Sequence, residues 1–81
     1  MKAKKADSVN VKVNGERIRE LRAGKLMERE DLANEIGVHQ VTISRIETGQ
    51  TAARATTVKK IASVLGVDPE SLSEGEAKLR A

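Results

Sequence analysis

The sequence predicts an all-α domain of five short helices behind a flexible basic N-terminal arm. Three observations lead to that class. Apolar residues recur at helical spacing in short runs: Ile18 and Leu21; Leu32, Ala33 and Ile36; Ile43 and Ile46; and Val58, Ile61, Ala62 and Leu65. A glycine closes each run, at Gly24, Gly37, Gly49 and Gly66, the residue that most readily takes the left-handed backbone past a helix end. The 81 residues include no Phe, Tyr, Trp or Cys, so the core is aliphatic, and the length suits one small domain.

Taken in order, residues 1–8 show no apolar periodicity and are expected to be disordered on their own. Val9, Val11 and Val13 then alternate with Asn10, Lys12 and Asn14. This period-two pattern fits either a short strand over 9–13 or an extended lead-in, and residues 1–14 are read as the arm. Asn14 is a good N-cap for a first helix from about Gly15 to Ala23. A second helix spans Arg29–Ile36, Val38 and His39 make a tight connection, and a third helix covers about Gln40–Glu47. Residues 50–56 lack periodicity and read as a loop before the fourth helix, which carries Val58 to Leu65. Asp68-Pro69-Glu70 opens a fifth helix, about Pro69–Ser73, burying Leu72. It combines a capping acid, a proline at the first position and an acid at the positive end of the dipole. The domain is thus placed at 15–74, with a tail fraying over 75–81.

Composition excludes several function classes. Without aromatic rings the chain has no platform for stacking unpaired bases. Without cysteine it has no disulfide frame, thiolate nucleophile or zinc finger, and the single histidine, His39, completes neither a metal site nor a Ser–His–Asp arrangement. No catalytic residue, metal or cofactor is assigned. No apolar run approaches the ~18 residues that a membrane span requires, so a cytoplasmic location is expected.

Charge is more informative by position than in total. Residues 1–14 carry Lys2, Lys4, Lys5 and Lys12 against Asp7, a net +3. Residues 32–66 hold Arg45, Arg54, Lys59 and Lys60 against Glu35 and Glu47, a net +2, and residues 67–81 are net −2. A basic arm and a basic middle suit a polyanion met by one face, although a Lys-rich terminus also serves solubility alone.

The stretch REDLANEIGVHQVTISRIET, residues 29–48, carries the functional signal. Two short helices meet at Gly37, with small Ala33 on the first and inward Val38, Ile43 and Ile46 beyond the turn. A small side chain permits a close crossing, glycine relieves the turn, and branched apolar residues lock the angle of a helix-turn-helix. On the opposite face of the third helix lie Gln40, Val41, Ser44 and Arg45, with no acid before Glu47.

With IRELR (18–22), DLANEIGV (31–38), TISRIETG (42–49) and TVKKIASVLGVDPESL (57–72), the chain resembles the phage-repressor/Cro-like, or XRE, DNA-binding domains from about Gly15 to Leu72. The resemblance implies a lambda-repressor-like five-helix fold that binds operator DNA as a two-fold dimer, its third helix in the major groove. Gln40 and Arg45 are then base readers, adenine and guanine being their bidentate partners. Val41 and Thr42 are placed against thymine methyl groups, and Ser44 meets a base edge, a phosphate or water. His39 stands where the family usually has a Ser or Thr cap; it is expected to face phosphate, and protonation there to strengthen binding at lower pH.

Arg29 opens the second helix where the family usually has Gln, and is expected to meet phosphate. Glu28 departs from the usual small polar cap: a carboxylate suits the helix dipole but repels a phosphate. Thr48, Gln50, Thr51 and Arg54 fall on the loop where the family meets the sugar–phosphate backbone, and Ala53 stands where a proline is common. Lys59 and Lys60 are adjacent, so both as solvated surface is the simpler reading. Arg22 and Glu47 match positions resembling a partly buried structural ion pair. Val64, Val67 and Leu72 are the expected dimer face. The leading function is a sequence-specific repressor bound to a double-stranded operator and associated with the nucleoid. The alternative is an antitoxin or adaptor whose main partner is a protein, such as a toxin or antagonist.

Overall fold

In a computed structural model, which describes residues 9–76, the predicted helices pack around one aliphatic core. The order is β1 (Asn10–Val13), α1 (Gly15–Gly24), α2 (Arg29–Ile36), α3 (Gln40–Glu47), β2 (Ala53–Arg54), α4 (Ala55–Leu65), α5 (Pro69–Leu72) and β3 (Ser73–Glu76). Five helices carry the fold, and the small sheet sits beside them.

The start of α1 and both ends of α2 have local causes. Asn14 Oδ1 accepts from the Arg17 backbone N at 3.1 Å, capping α1. At α2 the Glu28 backbone N donates to Asp31 Oδ2 at 2.9 Å, so an acid in the first turn reaches back to the chain preceding it. Gly37, at φ +80°, ends α2 in the left-handed region and turns the chain into α3. The inward stripes meet as the spacing predicts: Ile18, Leu32, Ile43, Ile46, Ile61 and Leu72 are the largest fully buried side chains.

The departures lie at the edges. β1 is the centre of a three-stranded antiparallel sheet, paired with β2 (Val11 opposite Ala53) and with β3 (Val13 opposite Ser73). Of the two readings open for the valine alternation, the structure takes the strand, over residues 10–13; residues 1–8 lie outside the described residues. Val13 is buried while Asn10 and Lys12 face outward, as period-two alternation requires. A strand this short is marginal alone, and here two neighbours supply its pairing. The segment 50–56 is not wholly loop, because Ala53–Arg54 pairs with β1, the Ala55 backbone N donates to the Val9 carbonyl at 2.9 Å, and α4 starts there. The position where the family often has proline is thus held by strand pairing.

The tail expected to fray from residue 75 instead continues as β3 through Glu76; residues 77–81 lie outside the described residues. α5 ends one residue early, at Leu72, because the chain turns there into β3. Its N-cap Asp68 makes no side-chain capping bond; its carbonyl instead accepts from Ser71 Oγ at 2.7 Å. Leu72 itself is 0% exposed and packs in the core. It is withdrawn from the expected dimer face, since a side chain with no surface cannot meet a second copy.

Candidate nucleic-acid interface

α3 is eight residues long, too short to hold its shape in water unaided, so its geometry is set by what it packs against. Ile43 and Ile46 are buried beneath it. At its N-terminus His39 is the cap, with Nδ1 accepting from the Val41 backbone N at 3.2 Å. An acceptor Nδ1 places the neutral ring's proton on Nε2. A protonated imidazole has no acceptor, so His39 cannot both gain charge and keep this cap; the expected simple gain on protonation is opposed by loss of the cap.

At the other end Glu47 is buried, and its carboxylate takes a forked pair of bonds from Arg22: Nε to Oε2 at 2.7 Å and Nη2 to Oε1 at 3.0 Å. Arg22 Nη1 also donates to the Met27 carbonyl at 2.8 Å. One guanidinium thus ties α1, the α1–α2 turn and the end of α3 together. The hydrogen bond to Glu47 raises the Arg22 pKa above its ordinary value, against the opposing effect of burial. As pH rises, its stabilising effect is kept until the guanidinium itself loses its proton at extreme alkalinity.

Gly15 makes this junction possible. A Cβ there would lie 2.4 Å from the Glu47 carbonyl oxygen and 2.5 Å from that of Ile46. Only glycine lets the N-terminus of α1 approach the C-terminus of α3, where positive and negative dipole ends meet. In the sequence alone Gly15 is no more than the first helical residue. The available signal was a poor helix former directly after a good cap, which implies a packing reason.

So anchored, α3 leaves Gln40, Val41 and Arg45 exposed, with Thr42 and Ser44 half-buried at the margins; Val41 is 44% exposed. Arg29, from the first turn of α2, crosses to this face and donates from Nη1 to Ser44 Oγ at 3.1 Å. The face presents guanidinium, amide and hydroxyl donors together with an exposed methyl-bearing side chain, the chemistry that matches base edges and phosphate oxygens.

A family model described as Helix-turn-helix matches residues 18–72. The chain belongs to the XRE-type helix-turn-helix family. Over 68 residues it is 35% identical to the HTH-type transcriptional regulator RghRB of Bacillus subtilis, covering 83% of this chain and 49% of the relative. It thus spans about half the length of that curated relative. Among solved structures it is similar to the restriction-modification controller protein C.AhdI from Aeromonas hydrophila, at TM-score 0.66 and 32% identity, covering 69% of this chain and 85% of the other. It is also similar to SinR, a master regulator for biofilm formation solved in complex with DNA, at TM-score 0.66 and 29% identity, covering 70% of this chain and 92% of that one.

Beside the helix-turn-helix lies an open concavity whose lining includes Thr42, Arg45, Gln50, Thr51 and Arg54, all singled out in the sequence, and Thr57, which was not. The sequence gives no signal for Thr57, because no side chain caps the start of α4 and no acid occupies its first turn. Thr48 is exposed, and its Oγ1 donates back along its own helix to the Ser44 carbonyl at 2.9 Å. Gln50 Nε2 donates to Thr48 Oγ1 at 3.0 Å, and its backbone N to the Arg45 carbonyl at 2.9 Å. These two residues finish α3 as well as bordering the face. Val64 and Val67 remain half-buried against the core. Lys59 and Lys60 are both exposed. No helix of the described residues is long and apolar enough to cross a membrane.

Proposed function

We propose that the chain is a sequence-specific transcriptional regulator of the double-stranded DNA-binding kind, acting as a dimeric repressor on an inverted repeat and located with the nucleoid. The observation that carries this reading is the outer face of α3. Gln40, Val41 and Arg45 stand exposed on a helix that contributes no acid before the buried Glu47. In this reading Gln40 and Arg45 read base edges, and Val41 and Thr42 contact thymine methyl groups. His39 Nε2, Thr51 and Arg54 hold phosphates, while Thr48 and Gln50 border them and fix the end of α3.

The likeness to SinR, solved with DNA, supports a DNA partner, and the name of RghRB supports a regulatory role. A dimer follows from arithmetic: one recognition helix reads too few base pairs for genomic specificity, and two copies related by a two-fold axis double them. Val64 and Val67 are the residues left for that contact.

The test is a selection on random duplex DNA followed by fluorescence anisotropy at two salt concentrations, for wild type and Arg45→Ala. The expected result is a short inverted repeat enriched by wild type and relaxed at one position by the variant. Weak, sequence-blind binding abolished by salt would overturn the reading and favour a toxin or antagonist protein as the main partner.

A further inference from the structure

Resting on that DNA-reading assignment, we infer that Arg29 is a specificity-determining residue that acts through Ser44, rather than a simple phosphate contact. Arg29 leaves the acidic first turn of α2, where Glu30 and Asp31 stand, and reaches α3. Its side chain has one partner among the described residues, the Ser44 hydroxyl oxygen at 3.1 Å. Neither Glu30 nor Asp31 forms an ion pair with it, although both are close in sequence.

The consequence lies in the hydrogen-bond inventory. A guanidinium has five N–H donors and no acceptor, and a serine hydroxyl has one donor and two lone pairs. With Arg29 donating into Ser44 Oγ, the hydroxyl proton is turned away from the cation, and the positive charge beside the oxygen disfavours a second donor there. Arg29 and Ser44 together therefore present donors only. Ser44 is half-buried next to exposed Arg45 and one helical turn after Gln40, so these donors adjoin the base-reading groups. The complementary base edge carries acceptors without an amino group: the O6 and N7 of guanine, or the O4 of thymine. An edge dominated by the cytosine amino group would meet a second set of donors and be rejected. Arg29 thus positions the Ser44 hydroxyl and sets what the operator must offer at that place.

The experiment is a set of anisotropy titrations on the selected duplex and on its three variants at each position. It compares wild type with Arg29→Lys, Arg29→Ala, Ser44→Ala and the Arg29→Ala/Ser44→Ala double variant, all checked for folding by circular dichroism. Wild type is expected to prefer guanine or thymine over cytosine at one position by roughly tenfold. Arg29→Lys and Ser44→Ala should each remove that preference, and the double variant should remove no more than either single change. The salt slope of Arg29→Lys should match wild type, because the charge is kept while the fixed fork is lost. If instead Arg29→Ala weakens every duplex alike, lowers the salt slope by about one, and Arg29→Lys restores both, Arg29 is a phosphate contact and the inference is overturned. A wild type that selects no sequence overturns the DNA-reading assignment, and this inference with it.

Discussion

The inner and outer faces of α3 carry opposite duties within eight residues. Inward, Ile43 and Ile46 are buried, and Glu47 is held by the forked bonds of Arg22 beneath the close approach at Gly15. Outward, the side chains of Gln40, Val41 and Arg45 are exposed. The comparison teaches that a helix this short borrows its direction from what lies behind it. Damage behind the helix should cost both folding and recognition, and damage in front should cost recognition alone.

The sharpest way to break that division is at the junction. Glu47→Ala leaves the Arg22 guanidinium without its carboxylate, a loss of about 3–5 kcal/mol for a buried pair and a large part of a small domain's stability. Gly15→Ala should do comparable harm, because the obstructing atoms are backbone carbonyls that cannot rotate away. Urea unfolding followed by far-ultraviolet circular dichroism measures both. A Glu47→Ala protein as stable as wild type but unable to bind DNA would place Glu47 with the outer face.

Arg45→Ala tests the other side. Its expected cost is about 1–3 kcal/mol in affinity, confined to one base pair, with stability unchanged within about 0.5 kcal/mol. Loss of thermal stability comparable to that of Glu47→Ala would erase the distinction between faces. His39→Ala sits where the faces meet: removing the cap should cost about 1 kcal/mol. His39→Ser, which can cap from the same place, should recover most of it in thermal melts.

The smallest effect should have the opposite sign. Leu26, in the α1–α2 turn, is held at φ +59° and is 92% exposed. A leucine there bears left-handed strain and gains no burial in return, so Leu26→Asn should stabilise by up to about 1 kcal/mol. DNA affinity should stay as it was. A destabilised Leu26→Asn protein would show that the turn depends on the leucine side chain.

Legibility in the sequence followed the range of the interactions. Ile43 and Ile46 on one side and Gln40, Val41 and Arg45 on the other follow from 3.6-residue periodicity alone, so the outer face of α3 was readable before any fold. Gly37 announced its turn because a left-handed backbone has few other occupants. The Arg22–Glu47 pair, 25 residues apart, was visible only through resemblance. The strand pairing of β1, the placement of Ala53–Arg54 and the burial of Leu72 were not visible, because each depends on segments distant in sequence meeting in space. A single valine alternation cannot name its partner strands.

By itself, then, the sequence determined the five amphipathic segments, their punctuation and the polar character of the exposed α3 face, since all of these are set by neighbours within a few residues. Only the tertiary structure decided that Gly15 admits α3 against α1, that Arg29 crosses from α2 to Ser44, and that Leu72 belongs to the core instead of a dimer face. Each of those depends on the distance between elements that close packing alone establishes.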